Sequence, residues 1–500
     1  MRTILDRIWE SRWKDALLPL SFLFGNLLNF VFYYLGLAYN DNIARSYGFI
    51  IGQLLFAGLC GLALLAALKN KRLSKLSWLC LGAVLLFYGA NYAAGLARHG
   101  LSGPWKDSFV HFVCFALPAF FAGICCALSH SERRFLPLME RLSFLVLPGA
   151  VIYMNGLLFY CNPFGYNRYL GIMDYMYFAY TVMPFLLVHI IRFTDKEDLE
   201  FPLFHKKARH PQLIRGAMII VYWVSIIGSG TRGTCVCVVA FCVLLVLSKL
   251  LHRESLLRPF LLSVSITAIM LFNMFVYAPP GMYAVARMNM FVDGLKQGEI
   301  VTSLEDSENA VEKIDELVAA DGDKQLTNRD EPTEPVEPAE PTEPTEPTDI
   351  ADENLVIGNR GTLYKLAWKE FLKAPLTGMG FGGYQVKYGG TPHNAILELL
   401  CEGGLLLGGP ILLLILFALI RLFCLAWNDR STRYLLLIFL AYAIRANIGG
   451  GVWTCDYLLC ALGFSFALSL SSPNSKSVFK RSAGSPLREE ASSTGASEKE

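Results

Sequence analysis

Apolar stretches long enough to cross hydrocarbon as helices recur from one end of this 500-residue chain to the other. A bilayer core of ~30 Å takes roughly 20 residues of helix, and so many such runs have no place in a soluble globule. The chain therefore reads as an all-α polytopic membrane protein, and 54% hydrophobic residues agree with that. About twelve spans fit, near 16–38, 48–68, 76–96, 108–128, 143–161, 175–191, 214–230, 234–251, 259–277, 403–424, 434–450 and 453–471. The first run is as long as a full span and lacks a small-residue cleavage site, so it reads as a span and not as a signal peptide. Most of the 13 cysteines fall inside these runs, as in "GICCAL" and "TCVCVVAFC". They read as small buried hydrophobes rather than disulfide or metal partners.

Orientation follows from where lysine and arginine gather. One set of loops and termini holds 28 of them, whereas the short loops on the other side hold only Arg45, Arg98, Lys106, Arg168 and Arg232. Both termini are thus expected in the cytoplasm. Residues 1–15 form the N-terminus, 16–277 the first nine helices, 278–402 a large extracytoplasmic loop, 403–471 the last three helices, and 472–500 a disordered tail. Within the loop, residues 293–353 carry 20 Asp and Glu against 4 Lys and Arg. The imbalance reflects topology and makes no case for nucleic-acid binding. Residues 331–348 read "EPTEPVEPAEPTEPTEPT", and proline at every third position forbids helix or sheet. The tract is expected to be a solvated polyproline-II linker of roughly 56 Å at ~3.1 Å per residue.

From 359 to 402 the loop regains the composition of a folded segment. "RGTLYKLAWKEFLKAP" places Leu363, Ala367, Phe371 and Tyr364, Trp368, Leu372 along one broad apolar face. That pattern predicts an amphipathic helix on the outer membrane surface, ended by Pro375. The glycines of "LTGMGFGGYQVKYGG" suit a tight loop whose backbone closely approaches a neighbour.

Of eight histidines, only His99 and His393 fall on the outer side. In "TPHNAILELLCEGG", Thr391 suits a helix N-cap and Pro392 the first helical position, which puts His393 in the first turn. There the helix dipole disfavours an imidazolium, leaving a neutral imidazole able to accept a proton. Arg232 sits in the sharp turn "IIGSGTRGTCV", where an arginine beside hydrocarbon needs a cavity, an anion or lipid headgroups. Arg360 stands just before the amphipathic segment. Two guanidiniums and a histidine on one face suit a phosphate-bearing leaving group and an attacking hydroxyl. Arg445, in "YAIRANIGGG", either pairs with Asp456, the favoured reading, or is a further phosphate contact. Glu398 and Glu402 read as structural.

"GSGTRG", "NRGTLYKLAWKEFLKAPLTGMGFGGY" and "PHNAILELLCEGGLLLG", in that order, resemble the O-antigen ligase and O-antigen polymerase superfamily over roughly residues 210 to 425. The resemblance implies a metal-independent glycosyltransferase with no cofactor. Its donor would be an undecaprenyl-pyrophosphate-linked glycan, and its acceptor a glycan, lipid or cell-wall hydroxyl at the outer face of the cell membrane. Arg232 and Arg360 would hold the pyrophosphate, His393 would activate the acceptor, and Asn394 would orient the site. The acidic Pro-rich insertion departs from the family pattern. Ligase and polymerase stay open, as do two other classes, a lipid-linked glycan transporter or flippase and a membrane scaffold.

Overall fold

The computed structural model describes residues 5–7, 10–21, 47–70, 73, 75–100, 109–110, 112–158, 175–199, 208–229, 231–272, 360–388, 391–449 and 455–468. The acidic linker 293–353 and the tail 472–500 lie outside them. Every regular element among the described residues is helical. We number them α1 (Tyr47–Asn70), α2 (Lys75–His99), α3 (Leu117–Ser129), α4 (Glu132–Leu158), α5 (Tyr175–Asp195), α6 (Pro211–Gly228), α7 (Arg232–Leu251) and α8 (Leu257–Phe272). After the linker come α9 (Arg360–Lys373), α10 (Gly383–Tyr388), α11 (Ala395–Gly403), α12 (Gly409–Ala426), α13 (Arg430–Gly449) and α14 (Asp456–Leu468).

Each span expected from residue 48 onward overlaps one of these helices in its described part, and the first, 16–38, lies largely outside the described residues. Seven helical stretches are long and apolar enough to cross a membrane, against the roughly twelve expected. α8 and α14 are apolar but short. Two boundaries shift clearly, and the first is that of α4, which begins at Glu132 where its span was expected from 143. The span expected to begin at 403 starts at Ala395 and runs 32 residues to Ala426, through a π-turn at Gly404–Gly408. At ~1.5 Å per residue it is about 48 Å long, more than hydrocarbon needs, so α11 has length to spare beyond the bilayer.

Helices in lipid gain little from hydrophobicity and associate through close backbone packing. α3 and α14 show this with reciprocal glycines. A Cβ at Gly123 would lie 2.2 Å from the Cys460 carbonyl oxygen, and one at Gly463 would lie 2.2 Å from that of Phe120. α4, α5 and α6 are instead joined by a buried ion cluster. Glu140 meets Arg215 Nε at 2.5 Å and Arg192 Nε at 2.6 Å, and His189 Nε2 lies 3.0 Å from the Ser143 hydroxyl. His189 thus has a packed, hydrogen-bonded role, as expected for a histidine within a span.

The segment between α9 and α12 has a small core of its own, formed by Leu366, Ala367, Phe371, Tyr384 and Cys401. Only one of the two apolar rows on α9 enters it. Leu363, Ala367 and Phe371 are buried, whereas Trp368 and Leu372 are exposed. Glu370 anchors the far side of this unit through Lys373 Nζ at 2.7 Å, Lys387 Nζ at 2.9 Å and the Tyr388 hydroxyl at 2.7 Å. Burial pushes the Glu370 carboxyl up, but these donors outweigh it and hold it at about 2. A depressed carboxyl contributes stability that is complete above its unfolded value and lost as pH falls through the folded one. Glu370→Gln is therefore expected to lower the unfolding temperature at neutral pH. The gap to wild type should close as unfolding is followed from about pH 4.5 down toward 2.

Candidate functional site

α11 is capped by Asn394, not by Thr391. Asn394 is extended (φ −144°) and its Oδ1 accepts from the backbone N–H of Ile396 at 3.1 Å and of Leu397 at 3.0 Å. His393 therefore lies one residue before the cap instead of inside the first turn. It adopts a left-handed conformation, φ 54°, which is uncommon for a non-glycine residue and recurs at functional sites. The reason is competition between two good caps. Turning the chain at His393 lets one amide side chain satisfy two helix N–H groups and leaves its Nδ2 free to donate elsewhere. The His393 ring is half-buried, with Nδ1 3.4 Å from the Thr391 hydroxyl.

The Nδ2 of Asn394 donates to the Asn447 carbonyl, near the end of α13, at 3.3 Å. The Tyr364 hydroxyl of α9 donates to the same oxygen at 3.4 Å. One carbonyl thus ties α9, α11 and α13 together. Arg445 lies two residues upstream on α13. Its guanidinium carbon sits 3.4 Å from the Tyr180 ring centroid on α5, and its Nε is buried without a hydrogen-bond partner. The favoured Arg445–Asp456 pair does not form among the described residues. Tyr180 takes the guanidinium instead, and Tyr442 donates to the Tyr180 carbonyl at 3.4 Å.

Arg232 and Arg360 are placed by their backbones, as the first residues of α7 and α9. The start of α7 adjoins the same cluster, since a Cβ at Gly233 would lie 3.9 Å from both Ile448 Cγ2 and Tyr180 Oη. Arg360 is one turn ahead of Tyr364. The starts of α7, α9 and α11 and the end of α13 therefore meet at one end of the bundle. This brings the backbone positions of Arg232, Arg360, His393, Asn394 and Arg445 into one neighbourhood. Helix starts present unpaired N–H groups and a positive dipole end, which suits an anion.

The glycine-rich loop after α9 fixes where α11 sits. Met379 N–H donates to the Cys401 carbonyl at 2.8 Å and Gly380 N–H to that of Glu402 at 2.9 Å. Leu405 and Leu406 donate back to Pro375 and Leu376 at 2.8 and 3.0 Å. Gly378 has φ +61°, and a Cβ there would lie 2.4 Å from the Glu402 oxygen. Arg98, at the end of α2, closes the loop from below with Nη1 2.7 Å from the Gly378 carbonyl. Gly378→Ala combines strain and collision. It is expected to yield protein that aggregates or elutes broadly from size exclusion in detergent.

Asn394→Ala is expected to lower the unfolding midpoint through loss of the cap, by about 1 kcal/mol. Asn394→Asp should recover only part of the midpoint, because a carboxylate also accepts from Ile396 and Leu397 N–H but cannot donate to the Asn447 carbonyl. Thermal unfolding of the two variants side by side checks both.

Residues 217–412 match the family model described as O-antigen ligase. That match, over about two fifths of the chain, supports the O-antigen ligase and polymerase superfamily. No curated protein and no solved structure matches the chain. The O-antigen ligase segment runs from within α6 into α12 and contains Arg232, Arg360, His393 and Asn394, while Arg445 lies beyond it. Asn447 and Tyr180 complete the neighbourhood and went unnoticed in the sequence. Asn447 follows Arg445 so closely that "RAN" could have drawn attention, but a tyrosine within an apolar span carries no such signal.

Proposed function

We propose that this O-antigen ligase-family membrane enzyme transfers glycan from an undecaprenyl-pyrophosphate carrier to an acceptor hydroxyl at the outer face of the cell membrane. In the transfer, the bond from the sugar anomeric carbon to the phosphate oxygen breaks and a bond from that carbon to the acceptor oxygen forms. His393 takes the acceptor proton, and undecaprenyl pyrophosphate leaves. Arg232 and Arg360 neutralise charge building on the pyrophosphate, which gives the reaction electrostatic stabilisation without a metal ion. Arg445 supplies a further guanidinium, and Asn394 fixes the turn that presents His393.

The observation that carries this reading is the shared Asn447 carbonyl. It holds the cap of the His393 helix and the helix begun by Arg360 two residues from Arg445, whose Nε is buried without a partner. A cation buried near hydrocarbon is costly unless an anion meets it. The test is a reconstituted reaction with purified full-length chain in nanodiscs, an undecaprenyl-pyrophosphate-linked glycan, and lipid, glycan or wall-fragment acceptors. Product should appear together with freed carrier. A ladder of lengthening products marks polymerisation, and a single addition marks ligation. Release of carrier with no glycosylated product from any acceptor would sink the reading.

A further inference from the structure

The other end of the bundle holds a second cluster of charge that the proposed transfer does not use. Along α13 it lies about 23 Å from Arg445 at ~1.5 Å per residue, around Arg430. A cavity of about 350 Å³ opens there where α5 and α7 end and α8 and α13 begin. Lys196, Lys249, Arg258 and Arg430 line it, with Asp195 and Glu254 as its carboxylates.

The two carboxylates are already committed. Asp195 takes Lys249 Nζ at 2.7 Å, an Arg430 nitrogen at 2.6 Å and the Tyr434 hydroxyl at 2.6 Å. Glu254 is held by Lys249 and Arg433. Burial pushes the Glu254 carboxyl up, but Lys249, Arg433 and Arg430 more than offset this and leave it below the ordinary range. The walls are therefore locked by ion pairs, and two lining cations remain. Lys196 and Arg258 have no ion-pair partner among the described residues. Lys196 is held in a left-handed turn, φ 58°, directly after Asp195. The Ser255 hydroxyl lines the same space.

The cavity opens beside lipid-facing surface. Leu257, itself a lining residue, is 67% exposed, and Leu250, Leu251, Phe260 and Leu261 around it are also exposed. A ligand suited to this place carries an anionic group for Lys196 and Arg258 and an apolar body that lies along α8. We propose that the cavity binds the phosphate of an anionic glycerophospholipid headgroup through Lys196 and Arg258, with its acyl chains against the exposed face of α8. The same phosphate chemistry could come from free inorganic phosphate, and the test separates the two.

The full-length chain in neutral detergent is titrated with phosphatidylglycerol, with phosphatidylcholine and with inorganic phosphate, and bound ligand is counted by native mass spectrometry. Wild type should retain phosphatidylglycerol in preference to phosphatidylcholine. Lys196→Gln/Arg258→Gln should weaken that retention about tenfold or more, the loss of two charge-assisted contacts. Arg209→Gln, an exposed cation away from the cavity, should leave it unchanged. Inorganic phosphate that binds with the same dependence on Lys196 and Arg258, where the lipid does not, would support the phosphate site and overturn its lipid occupant. Equal retention of phosphatidylglycerol by wild type and the double variant, or loss in Arg209→Gln as well, would overturn the site.

Discussion

His393→Gly is expected to fold as well as the wild type, or better, and to lose about a thousandfold in transfer rate. Both halves follow from the geometry. At φ 54° a histidine pays for a left-handed backbone that glycine adopts freely, so removing the side chain relieves strain. Alanine would keep that strain and blur the comparison, which makes glycine the better probe. The turn itself survives, because Asn394 still caps α11 and still reaches the Asn447 carbonyl. What disappears is the only proposed proton acceptor, and a positioned general base is worth roughly 10²–10⁴ in rate. Steady-state transfer beside an unfolding curve checks the pair of outcomes. Glycine at 393 with undiminished transfer would place the base elsewhere.

Arg360→Lys is expected to cost about a hundredfold, although the charge is kept. A guanidinium offers a planar fork that meets two phosphate oxygens at once, and an ammonium is a single point charge. Because the interaction strengthens as the pyrophosphate departs, the loss should appear mainly in kcat. Lys369→Arg, an exposed site on the same helix, should leave both kcat and KM alone. A variant affected only in KM would show that Arg360 holds donor and leaving group equally. Full activity would remove it from the site.

Much of the fold was legible because hydrocarbon imposes a length rule that any span must obey. Helices from 48 onward could be anticipated by that rule, although only seven of the described helical stretches reach span length. The starts of helices were harder. Thr391-Pro392 and Asn394 are both good N-terminal signals, and the choice between them is made by Asn447, far away on α13. Local spacing cannot reveal that. The Arg445–Asp456 pair failed for a similar reason: proximity in sequence suggested it, but a tyrosine on α5 offers its ring to the guanidinium. "LTGMGFGG" did announce a close backbone approach. What it approaches, the end of the His393 helix, depends on how α9 and α11 share a core. The arginine and histidine positions stood out because charge beside apolar runs is rare. Asn447 and Tyr180 did not, since neither is unusual where it stands.

In the proposed transfer, one site binds a pyrophosphate-linked glycan and His393 then helps to pass it on. The most direct test separates those two steps in one preparation. Wild type and His393→Gly in nanodiscs are loaded with the same labelled undecaprenyl-pyrophosphate glycan, bound donor is measured, and acceptor is then added for a single turnover. The His393 mechanism predicts equal donor loading, with product and free carrier formed in equal amounts by wild type and neither formed by the variant within the time of one wild-type turnover. Equal loading followed by equal transfer would contradict it.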